Sequence, residues 1–570
     1  MSFDCVTPGA LMYVTATSGH IGSGAANAHI RLVSAIGACS GMPASIVVNE
    51  LTSTAAAYAL SGFAPAAGTT AVSFQGKSPG INQAFLTLTN LIVPATGAIA
   101  TAGREINLAV IRQRLDTVAN ALAACDVTSV AGACAELFSC ARANATFVAT
   151  GQACTTGTST TTTDTMNAAL SIVQNAGLVS AAGIFDVAST SASFAPALGA
   201  APAEWSLPLV FNVRNYGPLA IDAGGHVWFL APDPNPAPST ANLAVTEMNA
   251  DGTFLSPHQT GHDWSTGGVS SITGVTNLAI DQSGNVWVSG TGHTIAELNS
   301  SGLGVAGSPY NAGAGPNDTA AVAIDSAGNA WFASGDVQPS VFEISGGNGT
   351  AVGTNLSTAS GYSTTNCPCN GMSADALGNV WTVSNGMNQF LAQIDAAGNE
   401  SNILTPPAVS GNFGLSTFLA IATDGSGNLW ITDQHYHGVW QFTPSGSAGT
   451  YSAAPFSNAA GPGTAPKAIA IDGASHKWIA NNPLSTYPSI TELSADGATN
   501  LSPIDGFGFQ VNSGTVSAPG VVTNAYGIAV DGSGNVWVSD GNVNLTEYVG
   551  AAAPTKNPVA AAVTSGSFVP

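Results

Sequence analysis

The segment Gly527–Asp540, GIAVDGSGNVWVSD, decides the fold, because its frame of an Asp followed six positions later by a Trp recurs through the C-terminal two thirds of the chain. The frame occurs seven times, as Asp222/Trp228, Asp281/Trp287, Asp325/Trp331, Asp375/Trp381, Asp424/Trp430, Asp472/Trp478 and Asp531/Trp537. Its copies stand 44 to 59 residues apart, and a fixed internal spacing at such a period is the mark of a repeat architecture. Every copy has a small residue two positions before the Asp: Ala220, Ala279, Ala323, Ser373, Ala422, Ala470 and Ala529. A small side chain suits an innermost strand where repeats converge on a central channel. Asp-x-x-Gly-Asn then turns the chain, through Asx capping and a glycine able to take positive φ. The second strand carries the Trp, a ring large enough to pack between neighbouring repeats. A third strand is marked by Glu247, Glu297, Glu343, Gln393, Gln441, Glu492 or Glu547, and a weaker fourth follows.

Four antiparallel strands per repeat and seven repeats predict a mainly β fold, a seven-bladed β-propeller over residues 204–570. Closure needs a strand from the other end of the repeat region. Trp205–Phe211, with alternating Trp205, Leu207, Leu209 and Phe211, is placed to supply it, and residues 550–570 are the alternative.

Residues 1–200 lack the frame and read as a smaller, mostly α-helical N-terminal domain containing disulfides, after a short strand-like start. The clearest helix runs from Arg104 to Ala124, where Leu108, Ile111, Leu115, Val118 and Leu122 share one face. Weaker candidates are Leu51–Leu60, Ile81–Ile92, Ala133–Ala143 and Asp164–Asn175, and the Ala/Ser/Pro-rich stretch from about 178 to 203 reads as a connector. Six of the eight cysteines, Cys5, Cys39, Cys125, Cys134, Cys140 and Cys154, fall before residue 160, and the other two form Cys367-Pro-Cys369. No zinc-type spacing is present, so all eight are expected in disulfides; short loops allow Cys125–Cys134 and Cys140–Cys154.

Ten Lys and Arg against 32 Asp and Glu give a net charge of −22, yet only 7% of residues are charged. The absence of any basic cluster argues against nucleic acid as a partner. No run of 18 apolar residues exists, so no transmembrane helix is predicted. The start, MSFDCVTPGALMYVTATSG, has no signal-peptide pattern, and the chain is read as mature or truncated and as secreted or displayed on the cell surface.

The repeat Gly527–Asp540, continued by Thr546-Glu547-Tyr548, resembles those of the virginiamycin B lyase (streptogramin lyase) propellers and their NHL-type relatives, over roughly Trp205–Gly550. The whole chain is also similar to secreted bacterial proteins. The resemblance implies a propeller and, as its reaction, lactone opening by β-elimination, with a His base and a Mg²⁺ held by acidic residues on one face. Its repeats commonly end the second strand in an acid, as Asp433 and Asp540 do, whereas Pro232, Gly290, Gly335, Asn385 and Asn481 stand at or near that place in other copies. No His and acid pair matches residue by residue.

The loops after the second strand and those leading into the first are expected to line one mouth of the channel. There, Asp433-Gln-His435-Tyr436-His437 is the densest chemical signal, since His at i and i+2 can share a metal and a neutral imidazole can act as a base. His293, Asn385, Asn481, Asn482, Tyr487, Asp540 and Asn542 add to that mouth, as do Tyr216, Asn317, Asp318, Asn370, Lys467 and Tyr526. Two readings follow. In the first, the chain is a binding or scaffold protein for a glycan, peptide or protein, with Tyr436, Asn385, Asn481, Tyr487 and Tyr526 as ligand contacts and the N-terminal segment available for homo-oligomeric or surface assembly. In the second it is a lyase or hydrolase using Mg²⁺ or another divalent cation among His293, Asp433, His435, His437 and Asp540. His226 and His476 replace the Asn of the turn and read as structural.

Overall fold

The structure is a computed structural model. It describes the chain except for residues 1–4, 6, 20–25, 66–72, 102–107, 128–130, 156, 159–161, 214, 216, 233–242, 256–272, 292–293, 312–318, 335–339, 348–350, 358–360, 364–368, 385–390, 405–416, 436, 445–450, 457–463, 484–489, 504–505, 508–524 and 541–543.

Beyond residue 204 the chain forms small antiparallel sheets in which consecutive strands pair. Their first strands are Leu219–Ile221, Thr273–Ile280, Thr319–Ile324, Cys369–Ala374, Phe418–Thr423, Thr464–Ile471 and Ala525–Val530. Each packs against the first strand of the next sheet, and the last returns to the first, so these strands enclose a ring. Strand Pro208–Phe211 pairs with Asn544–Tyr548 and completes the final sheet from the opposite end of the repeats, the role the alternation at Trp205–Phe211 predicts. This arrangement is a β-propeller.

The register explains the repeated residues. In every sheet the small residue, the Trp and the Glu or Gln lie side by side across three strands, as Ala279, Trp287 and Glu297 do. The seven Trp side chains are completely buried. Each Trp Nε1 donates to Oδ2 of its Asp, at 2.8–3.2 Å. The other Asp oxygen accepts turn amides; Asp281 Oδ1, for example, takes those of Ser283 and Asn285 at 2.8 and 2.9 Å. The turn needs one residue with positive φ. Six copies place Gly there, with φ of 79–86°, but the sixth copy uses Ser475 at 63°.

In the first 200 residues, strands Leu11–Gly19 and Asn27–Ala38 form a hairpin. Helices follow at Glu50–Leu60, Gly80–Leu91, Leu108–Val127, Ala131–Cys140, Thr165–Gln174 and Ala181–Ser189. The last lies inside the stretch read from sequence as a connector; Ser180 caps it by accepting from Gly183 N. Asp164 caps Thr165–Gln174 in the same way through Asn167 N. Disulfides join Cys5–Cys39, Cys125–Cys134 and Cys140–Cys154. Cys369 is also disulfide-bonded, and Cys367 lies outside the described residues. Three described disulfides suit an oxidising compartment. No described helix is long and apolar enough to cross a membrane.

The helices share one continuous apolar core with the first and last sheets: Tyr58, Leu115, Leu122 and Leu170 belong to the same buried cluster as Trp205, Phe211, Ile221 and Trp537. Arg114, on helix Leu108–Val127, is the polar centre of that junction. Its guanidinium donates to the carbonyls of Glu204 and Ser206 and to Glu204 Oε1 at 3.2 Å, with both side chains at most 1% exposed. Tyr58 donates to the Trp205 carbonyl at 2.6 Å.

Candidate functional site: the channel and its two ends

In several copies the turn between first and second strands is tied to the third-strand acid. Asn285 Nδ2 reaches from its turn to Glu297 Oε1 at 2.8 Å, and Asn329 bridges Asp325 and Glu343. Where the sequence has His instead, the imidazole takes the place of the Asn, bridging both carboxylates in the first copy and reaching the third-strand Glu in the sixth. His226 Nδ1 lies 2.9 Å from Asp222 Oδ2 and 3.0 Å from Glu247 Oε1. His476 Nδ1 lies 2.7 Å from Glu492 Oε1. Hydrogen bonds to Asp222 and Glu247 raise the pKa of His226 to about 10 against the effect of burial. Burial pushes Asp222 upward, but His226 and Trp228 outweigh it and leave the carboxyl below its ordinary range. The hydrogen bond to Glu492 likewise raises His476. Among the described residues, the groups of three whose donor atoms are close enough to share a metal are these two, Asp222/His226/Glu247 and Asp472/His476/Glu492. Both are the turn network with Asn exchanged for His, and one Asp oxygen in each is already taken by its Trp.

The turn face is covered. Helix Gly80–Leu91 lies across the turns of the first and last sheets: Gln83 donates to the Gly224 carbonyl, and Ser533 Oγ to the Gly80 carbonyl at 2.9 Å. In the last sheet, Asn535 donates to Thr87 Oγ1, which donates on to Glu547 Oε1, so a residue of the N-terminal segment completes the repeat's own bridge. The C-terminal residues cross the rest of this face. Ala553 N donates to Asp472 Oδ2 at 3.1 Å, Thr555 N to the Asp531 carbonyl at 3.1 Å, and Gln282 Nε2 to Thr564 Oγ1 at 2.8 Å. A short helix, Val559–Ser565, stoppers the channel itself, with Ala562 and Val563 packed beside Trp430 and Ile479, and Ala560 beside Trp287 on the other side. Beneath it is a cavity of about 210 Å³, lined by the three residues before the repeated Asp on all seven first strands, the small row among them.

Toward the opposite end the first strands run back through the residues five before each Asp. Here Lys467 and Tyr526 sit on neighbouring strands, the ammonium 3.3 Å from the ring centroid. Tyr526 is 40% exposed. Desolvation by burial lowers the pKa of Lys467. Asn370, at the same level, donates to the Phe418 carbonyl at 3.4 Å.

Of the residues proposed from sequence, Asp433 is fully buried. Its Oδ1 accepts from Thr417 N and His435 N, and its Oδ2 from Trp440 Nε1 at 3.0 Å. It thus repeats, at the far end of the second strand, the capping done by the frame Asp. His435 is exposed, and His437 turns the chain into strand Gly438–Pro444 with φ of 54°. Asp540 is buried at the end of strand Val536–Asp540, in register with Ala525 and Asn544. Asn481 is buried inside its sheet and donates to Thr491 Oγ1 at 3.0 Å. His293, Asn385, Tyr436, Tyr487, Tyr216, Asn317, Asp318 and Asn542 lie outside the described residues. The sequence reading missed the stopper helix, whose only trace is the apolar run Val559–Val563, and it found the third-strand Glu/Gln without the bond it makes.

No family model and no curated protein matches the chain. Among solved structures it is similar to virginiamycin B lyase from Staphylococcus aureus, with 15% identity and TM-score 0.41, covering 60% of this chain and 98% of that one. It is also similar to PorZ, a surface component of the type-IX secretion system of Porphyromonas gingivalis, with 16% identity and TM-score 0.41, covering 59% of this chain and 46% of that one. YCF48 from Cyanidioschyzon merolae is a third, with 14% identity and TM-score 0.38, covering 60% and 98%.

Proposed function

We propose that the chain is a secreted or surface-displayed seven-bladed propeller, joined to a mostly helical, disulfide-containing N-terminal domain, and that it binds a glycan, peptide or protein partner at one mouth of its channel. The observation that carries this reading is the asymmetry of the two faces. Helix Gly80–Leu91 and the C-terminal residues occupy the turn face, whereas among the described residues the other face presents the exposed ring of Tyr526 beside Lys467. An aromatic ring with adjacent polar groups is the usual anchor of a recognition surface. The reading is tested by probing the immobilised protein with arrays of glycans and peptides. Capture of one class, weakened by about tenfold or more in Tyr526→Ala and retained in Gln282→Ala on the covered face, is the expected result. A protein that captures nothing, or whose capture is lost on the turn face instead, overturns it.

A further inference from the structure

We propose that the stoppered channel is a pocket for a small amphiphilic monocarboxylate, whose apolar tail enters the bore and whose carboxylate docks on Lys467. The bore is mostly apolar: Leu278, Ile421 and Ile469 flank the small row, Ala560, Val563 and Phe568 close the far end, and the lining hydroxyls of Ser373 and Thr423 bond to each other at 2.9 Å. An apolar cavity of about 150 Å³ stays dry and accepts benzene, so the roughly 210 Å³ here suits a somewhat longer hydrocarbon.

Toward the end opposite the stopper helix the chemistry changes within one step of the strand. Lys467 stands two residues before Ile469, a rise of about 6–7 Å along the channel, so a head group on Lys467 and a tail in the bore lie in line. The charge pattern singles out this lysine. Between residues 205 and 549 the Lys and Arg residues are Arg214, Lys467 and Lys477, in a chain of net charge −22, and His226 and His476 are held by the carboxylates of their own turns. Arg214 lies outside the described residues, and Lys477 is spent inside the fold, over the Trp430 ring and bonded to the Ser475 and Ala495 carbonyls. Lys467 is half-buried against Tyr526, and no described carboxylate forms an ion pair with it. A partly desolvated ammonium at the mouth of an apolar pocket gains most from a single anionic head. A phosphate dianion calls for several converging donors, and among the described residues this level offers one cation.

The test is calorimetric titration of the full chain with octanoate, 1-octanol and acetate. Octanoate is expected to bind at one site per chain, more tightly than either 1-octanol or acetate. Lys467→Met should weaken octanoate by about 10- to 100-fold while leaving 1-octanol unchanged, and Lys467→Arg should keep the preference. Ala422→Leu, which fills the bore, should weaken both. Should that variant fail to fold, the series hexanoate, octanoate and dodecanoate on the unmodified chain reads the same property, since affinity must stop rising once the tail outgrows the cavity. Equal binding of octanoate and acetate, an unchanged Lys467→Met, or affinity that climbs steadily to dodecanoate overturns the proposal.

Discussion

Replacing Arg114 by Met should uncouple the helices from the propeller and cost about 3–5 kcal/mol. The size follows from what is left behind. Glu204, at most 1% exposed, would keep one amide partner, Ser206 N, and lose its only described cation. The carbonyls of Glu204 and Ser206 would also lose a donor, each worth about 1 kcal/mol where water cannot replace it, although these losses overlap with that of the charge. Urea unfolding, followed by tryptophan fluorescence for the sheets and by circular dichroism for the helices, measures the effect. In the native protein the two signals should change together, because one core spans both parts. Adding Glu204→Met to Arg114→Met should recover much of the loss, since an apolar pair removes the stranded charge. A shift below about 1 kcal/mol, within the range of exposed pairs, or separate transitions in the native protein, would refute the reasoning.

Stability should be greatest near about pH 5 and decline toward about pH 9. Burial raises Asp116 to about 6, and burial with the neighbouring Asp186 raises Glu136 to about 7. Such groups hold more protons folded than unfolded, so their contribution is complete below the ordinary carboxyl range and lost as pH climbs through these values. His226, raised to about 10, adds stability below its ordinary value and loses it on the alkaline side, whereas Asp222, lowered, loses its contribution in strong acid. Thermal melts across this range check the order, and a higher midpoint at about pH 9 than at about pH 5 would contradict it. His226→Asn should stay within about 1 kcal/mol of the native protein and flatten the alkaline decline, because Asn makes the same bridge in other copies, while His226→Leu should cost about 2–4 kcal/mol by stripping two buried carboxylates. Chemical denaturation of both variants measures the difference. Ser475→Gly should stabilise by about 1 kcal/mol, relief of the left-handed backbone exceeding the entropy glycine adds to the unfolded chain; a lower denaturation midpoint would show the turn is unstrained.

The fold was legible because its signal is redundant. Small residue, Asp, Gly, Asn and Trp recur at fixed spacing, and each answers to a separate demand: room in the bore, an amide to cap, a positive φ, a bridge and a filler between sheets. The third-strand Glu and Gln were visible as marks, yet their meaning required a partner on another strand. Helix Ala181–Ser189 was hidden by an Ala/Ser composition shared with loops, although Ser180 was a usable cap signal. The stopper helix could not be read, since seven residues form no stable helix alone and this one exists because the channel buries it. Asp433 was noticed for its place beside two histidines. Trp440, seven positions on, was the better clue to the capping role the structure gives it.

The pairing of Pro208–Phe211 with Asn544–Tyr548 sets an order of events as the chain is made. Phe211 and Leu545 are partners 334 positions apart in sequence, and closing a loop of that length costs about 5 kcal/mol beyond a constant. Until the last sheet appears, the edge of Pro208–Phe211 waits. In the folded protein helix Leu108–Val127, through Arg114, holds the segment just before that strand. An unpaired strand edge is open to foreign partners, so a chain cut before Asn544–Tyr548 is expected to aggregate where the full chain does not, as light scattering of the truncated protein would measure.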